Sequence, residues 1–371
     1  MISTLQPFDA FCAWGYDSSV IKMLDRLTWR QKKIDVVANN IAQIKGIIEK
    51  NKDASSLGTS IIFLNVTSLN TDYSCSFFIG LLPFANHKIY KHERTRISKT
   101  EAYEKLMNQY QLQVSPIMLL RENSTVFDHL SMDILKTPPM RTYSENDLRF
   151  DIYACTDANQ LKEIQELSSE DECFFLADGH HRYSYFEKHA DKHPLCMVAM
   201  TTIDQQQMTV CPRALHCPSR YSTEEILHRL SHYFHISESA EDPSNNYVLI
   251  WDKKEFTLRL RDTFKNEDPL CFFSSFITDE LIFKHAFGHD ALQDREIRGI
   301  AGHCKIQDAN EVLVKLNGKD EVLVFPPLFD KHLLLDHATD NFFLPTTSTC
   351  FSPKIPDGLI VFDSSFGLGI R

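Results

Sequence analysis

Apolar residues recur along this chain with two different periods, and the switches between them outline its elements. Val37, Ile41, Ile44, Ile47 and Ile48 are spaced as one helix face within residues 1 to 57, which read as a helical scaffold segment. Two β-rich runs follow, Ser60 to Thr67 and Ser76 to Leu82, linked by a turn-prone stretch with Asn70 and Asp72, and are expected to pair. Lys99 to Tyr110 sets Tyr103, Leu106 and Tyr110 on one helical face. Val114 to Leu120 reads as a core strand, Pro116 holding Ser115 extended. Residues 126 to 172 read as alternating helix-like segments around Pro138-Pro139.

The clearest pattern lies in the middle. The run from Phe174 to Asp178 is too short for a helix and too aromatic for a loop, so it predicts a buried strand, with Gly179 turning the backbone. Tyr183, Phe186 and Ala190, at i, i+3 and i+7, then predict a helix for which Asp178 is the candidate N-cap. Further strands are expected at 195 to 202 and from Met208 into a polar turn carrying Arg213 and His216. A helix over 222 to 236 opens with a capping-box pair, Ser222 and Glu225. Strands at 247 to 252 and 255 to 261, a mostly helical 270 to 300, strands at 311 to 316 and 321 to 325 around Asn317-Gly318, a helix over 328 to 338 and a strand over 358 to 362 complete the reading.

Composition narrows the class. With 371 residues and 43% hydrophobic positions the chain suffices for one large or two medium domains. A net charge of −11 excludes a nucleic-acid surface as the main partner, because phosphate backbones are bound by basic excess. No stretch approaches about 18 continuous apolar residues, and no basic segment opens onto an apolar core. A cytoplasmic protein with no membrane partner is therefore the expectation. Ten scattered cysteines without a C-x-x-C pair suggest buried free thiols. No Rossmann or Walker glycine loop occurs, so a nucleotide site would have to be built otherwise.

Candidate chemistry gathers in three places. Asp178-Gly179-His180-His181-Arg182 puts two imidazoles, a guanidinium and a carboxylate on a helix N-terminus, where unpaired amides and the dipole favour an anion. The bland alternative is a capped helix with solvated histidines. His87, Lys91, His92, Glu93, Arg94 and Arg96 repeat the strand-turn-helix logic, with a solvated charge run as the alternative. Thr346-Thr347-Ser348-Thr349 with Lys354 offers hydroxyls and a cation for an oxyanion, or simply a turn. A zinc site from His87, His92, His180 and His181 lacks ligand spacing. The fold expected around these clusters is α/β to α+β: a mixed β-sheet with flanking helices and a phosphate-binding strand-turn-helix at its centre. It would form one domain over 58 to 362, with any division into two lobes near 222 to 246.

Ala-Asp-Gly-His-His-Arg-Tyr at 177 to 183, His92-Glu93-Arg94-Thr95 followed by Ser115-Pro116-Ile117, and Leu344-Pro345 through Ser348-Thr349 and Pro353-Lys354 to Gly358-Leu359 resemble, in this order, the family known as domain of unknown function 1015. The central turn is also similar to the phosphate-binding turn of the partition-protein and sulfiredoxin superfamily, which includes kinases that phosphorylate free serine. The resemblance implies a nucleotide-dependent phosphotransferase using ATP or ADP with Mg²⁺ on a small hydroxyl compound, free serine first. His180, His181, Arg182, His92, Arg94, Arg96, Ser348, Thr349 and Lys354 would hold the nucleotide, Asp178 would position the metal, and Glu93, His181 and Asp178 would be catalytic. Glu93, flanked by Arg94 and Arg96, would orient the hydroxyl more than remove its proton. The alternatives are a phosphatase or nucleotide hydrolase using the same turn, and a non-catalytic nucleotide-binding regulatory module. The chain departs from the family where a Pro-Pro-Tyr-Asp motif is missing, where Thr347 replaces lysine, and where Pro212-Arg213-Ala214-Leu215 replaces Pro-Thr-His-Arg. Thr349 and Lys354 are expected to fold back onto the cleft of His181.

Overall fold

The computed structural model describes residues 4–14, 34–83, 87–169, 173–216, 221–238, 245–252, 254–265, 272–289, 297–300, 321–339 and 342–366. Their contacts form two compact units, one drawn from residues up to Tyr90, Thr95–Gln207 and Ser352 onward, the other from Lys91–Arg94 and Met208–Phe351. The stretch 222 to 246 therefore lies inside the second unit. The N-terminal segment is part strand, since Phe8–Phe11 joins the first unit's sheet between Ser56–Ser68 and Val361–Asp363.

The first unit is built on a mixed sheet with flanking helices. Its hairpin, Ser56–Ser68 with Ser74–Leu82, pairs Phe63 with Phe78, whose rings lie 5.2 Å apart. Cys196–Thr202 runs antiparallel to that hairpin and parallel to Ile117–Arg121, which in turn pairs antiparallel with Cys173–Asp178. These strands are apolar nearly throughout, as burial on both faces requires. The helix Ile34–Lys50 buries Ile41, Ile44 and Ile48, and Ile97–Tyr110 buries Tyr103, Leu106 and Met107. Tyr103 packs edge-on against Tyr185 of the helix His180–Lys188 at 5.4 Å.

Residues 126 to 172 differ from the helix-like expectation. Thr125–Leu135 and Ala158–Glu166 are helices, capped by Ser124 and Asp157, but Arg141–Glu145 and Leu148–Cys155 form a hairpin. Asn146 and Asp147 both take positive φ, the backbone that a two-residue hairpin turn needs, and Phe150 to Tyr153 are buried on both faces of the strand.

The described residues of the second unit form a six-stranded sheet ordered Phe234–Ser237, Lys254–Leu260, Tyr247–Trp251, Glu321–Phe325, Arg213–His216, Ile297–Gly299, with antiparallel pairing throughout. Within 270 to 300 the helix Ser274–Ile277 continues as a π-helix over Thr278–Ala286 before the strand at 297. The strand expected at 311 to 316 and its Asn317-Gly318 turn lie outside the described residues. The described cysteines are free thiols, and burial pushes Cys75 and Cys155 up to about 12, so neither is a nucleophile at neutral pH. No helix among the described residues is long and apolar enough to cross a membrane.

The capping box is present as read. Ser222 Oγ accepts from Glu225 N at 3.3 Å, and Glu225 Oε2 accepts from Ser222 N at 2.8 Å. Ser222→Ala is expected to lower unfolding stability by about 1 kcal/mol in chemical denaturation; a loss below a few tenths would mean that solvent replaces the cap.

Candidate phosphate-binding site

The antiparallel register that sets Met118 opposite Asp178 brings the end of one strand beside Ser115 at the start of the other. Gly179 then takes φ +92, and a Cβ there would lie 3.0 Å from the Arg182 guanidinium, so backbone and side-chain packing both demand glycine. Arg182 folds back over the turn: Nη2 reaches Asp178 Oδ2 at 2.8 Å, while Nη1 donates to the Ser115 carbonyl at 2.9 Å and to Ser115 Oγ. Lys354, 176 residues along the chain, ion-pairs with Asp178 Oδ1.

Gly179, not Asp178, is thus the N-cap, and the helix start has no side-chain cap. Desolvation opposes ionisation of Asp178, but Lys354 and Arg182 outweigh it and hold the carboxyl down at about 2. With one oxygen on an ammonium and the other on a guanidinium, Asp178 does not fit the Mg²⁺ role expected of it. Among the described residues no three His, Cys, Asp or Glu side chains are grouped to hold a metal ion.

The Arg96 amide donates to His181 Nε2 at 3.1 Å, which makes that nitrogen an acceptor and assigns the ring proton to Nδ1. His180 is buried beside it, close enough to add to the field that favours the Asp178 anion. His180, His181, Arg182, Arg96 and Lys354 all belong to the first unit. Ser115, present in the sequence reading as a strand residue and within the Ser115-Pro116-Ile117 motif but given no role there, joins the site by accepting from Arg182.

His92, Glu93, Arg94, Ser348 and Thr349 belong to the second unit. There the buried Glu93 carboxylate accepts four hydrogen bonds, from the amides of Thr347 at 2.8 Å, Ser348 at 3.0 Å and Thr349 at 2.8 Å, and from Thr349 Oγ1 at 2.8 Å. Since Thr349 gives its proton to Glu93, the contact of 2.9 Å with His92 makes His92 Nε2 the donor. Arg94 is exposed, its amide bonded to the Leu344 carbonyl at 3.0 Å. Thr347 takes φ +59, and the loop is packed so tightly on Gly299 that a Cβ there would lie 2.0 Å from the Thr347 carbonyl. Arg213 grips the same loop through Thr346 O at 3.0 Å and is itself held by Asp279 in a buried bidentate pair at 2.8 and 2.5 Å. His216 pairs with Glu321 at 3.3 Å. Three of the four donors are backbone amides and not the hydroxyls that the sequence offered, and the anion among them is the protein's own Glu93.

A family profile described as Protein of unknown function (DUF1015) matches residues 70–280, more than half of the chain and inclusive of Asp178 to Arg182. The chain belongs to the DUF1015 family. Among solved structures this DUF1015 protein is similar to C-terminally truncated SbnI from Staphylococcus aureus, 13% identical over 75% of this chain and 85% of that one, with a TM-score of 0.42. It is also similar to a free serine kinase in complex with AMP, 13% identical over 77% and 90%, TM-score 0.40. A conserved hypothetical protein from Pyrococcus furiosus is 14% identical over 77% and 94%, TM-score 0.39. No curated protein sequence matches the chain.

Asp178 titrates lower in the folded protein than its ordinary 3.8, so its stabilisation is fully present above that value and is lost as the pH falls towards 2. Asp178→Asn is expected to lose on the order of 2 kcal/mol at neutral pH, with the gap to the parent narrowing below pH 4. A gap independent of pH in acid denaturation would rule out this electrostatic origin. Glu93→Gln sets an NH₂ group against amide donors and is expected to cost about 1 to 3 kcal/mol in thermal unfolding. Unchanged stability would show that the four hydrogen bonds are not what holds the loop.

Proposed function

We propose that this DUF1015 protein is a nucleotide-dependent phosphotransferase acting on a small hydroxyl compound, with ATP or ADP as donor and free serine the first acceptor to test. The observation that carries the reading is the hydrogen-bonded chain Lys354–Asp178–Arg182–Ser115 at a helix start with no side-chain cap. Phosphoryl transfer needs fixed cations and N–H donors around the moving group more than covalent chemistry. Lys354, with 44% of its side chain exposed, supplies an ammonium that solvent and ligand can reach. His181 supplies an Nδ1–H donor, and the first helical turn directs amides outward. Arg182 acts mainly by holding the turn in shape, since its guanidinium is already engaged on two partners. Glu93 has no share in this turn's chemistry in the proposal, its oxygens being engaged by four donors in the other unit.

The test is to incubate the purified protein with ATP or ADP, Mg²⁺ and a panel of amino acids and polyols, reading nucleotide interconversion. Conversion that requires an acceptor supports the proposal. Consumption of nucleotide without one indicates a hydrolase, and tight binding without turnover a regulatory module. Lys354→Met is expected to weaken nucleotide affinity by about 1.5 to 3 kcal/mol in calorimetry, the range for a charge-assisted hydrogen bond. An unaltered affinity would take Lys354 out of the site.

A further inference from the structure

The strand Arg141–Glu145 is an edge of the first unit's sheet: among the described residues it pairs only with Leu148–Cys155. At five residues it is the longest edge strand among them. Its hairpin turns through Asn146 and Asp147 alone, so Glu145 and Leu148 form the closing hydrogen-bonded pair. Antiparallel alternation carries that pattern on to Tyr143 with Phe150 and to Arg141 with Ile152. The amides and carbonyls of Thr142 and Ser144 therefore point the other way, out of the sheet, and both residues are exposed. An open row of this kind is a template for another strand.

The side chains say which strand fits. Arg141 and Glu145 carry opposite charges at equal distances from Tyr143. With a second copy laid antiparallel and centred on Tyr143, Arg141 of each copy faces Glu145 of the other. In the same register Thr142 faces Ser144, so the outward backbone groups meet one another and close about four hydrogen bonds. Arg141 and Glu145 then occupy non-hydrogen-bonded pairs, where opposed side chains approach most closely. A parallel copy sets like charges side by side instead.

Two further features agree. Tyr143, on the two-fold axis, is held in place by its hydroxyl, which donates to the Trp14 carbonyl at 3.1 Å. Four of the eight large hydrophobic side chains left exposed among the described residues lie about this strand: Met132 and Leu135 late in the helix that leads to it, Met140 just before it, and Leu69 at its turn. The Leu69 amide donates to the Asp147 carbonyl at 2.8 Å, so the two-fold arrangement brings Met140 of one copy towards the end that carries Leu69 of the other.

We propose that the free edge of Arg141–Glu145 pairs with the same edge of a second copy, giving a two-fold dimer whose sheet runs continuously through both subunits. Arg141 also donates to the carbonyls of Ala54 and Ser56, neutral acceptors that fix the guanidinium at the strand start and leave its charge in place.

The experiment is sedimentation velocity of the full chain from about 1 to 300 µM, the range suited to a small interface. The parent is expected to pass from monomer to dimer across it. Glu145→Arg sets arginine against arginine and Arg141→Glu sets glutamate against glutamate, and each is expected to weaken self-association at least about tenfold. An equimolar mixture of the two variants regains opposite charges at both ends and is expected to associate within about threefold of the parent. Circular dichroism checks the fold. Ser144→Pro removes an outward N–H while leaving the ladder to Leu148–Cys155, and is expected to weaken the dimer by about the same factor even if Arg141→Glu does not fold. A parent that stays monomeric throughout overturns the proposal. So does a dimer that Glu145→Arg and Ser144→Pro leave unchanged, or a mixture of the folded charge variants that stays monomeric.

Discussion

The Arg182 guanidinium, folded back across Gly179 onto Asp178 and Ser115, is the contact on which this end of the first unit's sheet depends. It joins the last residue of one strand, the first turn of a helix and the start of the neighbouring strand, and it lies over a glycine whose φ of +92 side-chain-bearing residues rarely adopt. Such a half-enclosed pair is sensitive to the loss of either partner, because the survivor keeps its desolvation cost without its compensation. Lys354 offsets part of that sensitivity by giving Asp178 a second cation. The chain's overall charge of −11 is thus a poor guide to this turn, where cations are gathered locally from residues far apart in sequence.

What could be read from the sequence was what short windows encode. The strand at 173 to 178 and the helix after it were visible because a short, aromatic apolar run gives way to a period near 3.6 across one glycine. Ser222 and Glu225 were visible because a capping box is complete within four residues. The hairpin at 141 to 155 was hidden: its turn residues carry side chains other than glycine, and Pro138-Pro139 drew the reading towards helix ends. Lys354 was visible locally as the cation after a row of hydroxyls, but its partner Asp178, 176 residues upstream, was not.

The amide nest shows a different limit. A row of hydroxyl residues reveals donors, and donors imply an anion, but nothing local says which anion arrives. Here the answer sits 254 residues upstream, in a glutamate whose own neighbours, Arg94 and Arg96, suggested a ligand-facing role.

Because Lys91 to Arg94 belong with Met208 to Phe351, the second unit is discontinuous along the chain. A fragment cut at 208 and 351 would keep the six-stranded sheet and the loop at 347 to 349 but leave three loop amides, two of them buried, without their carboxylate. During synthesis the same geometry imposes a wait. Glu93 leaves the ribosome long before the loop that it anchors, so the early chain carries a charged residue destined for burial with its partners not yet made.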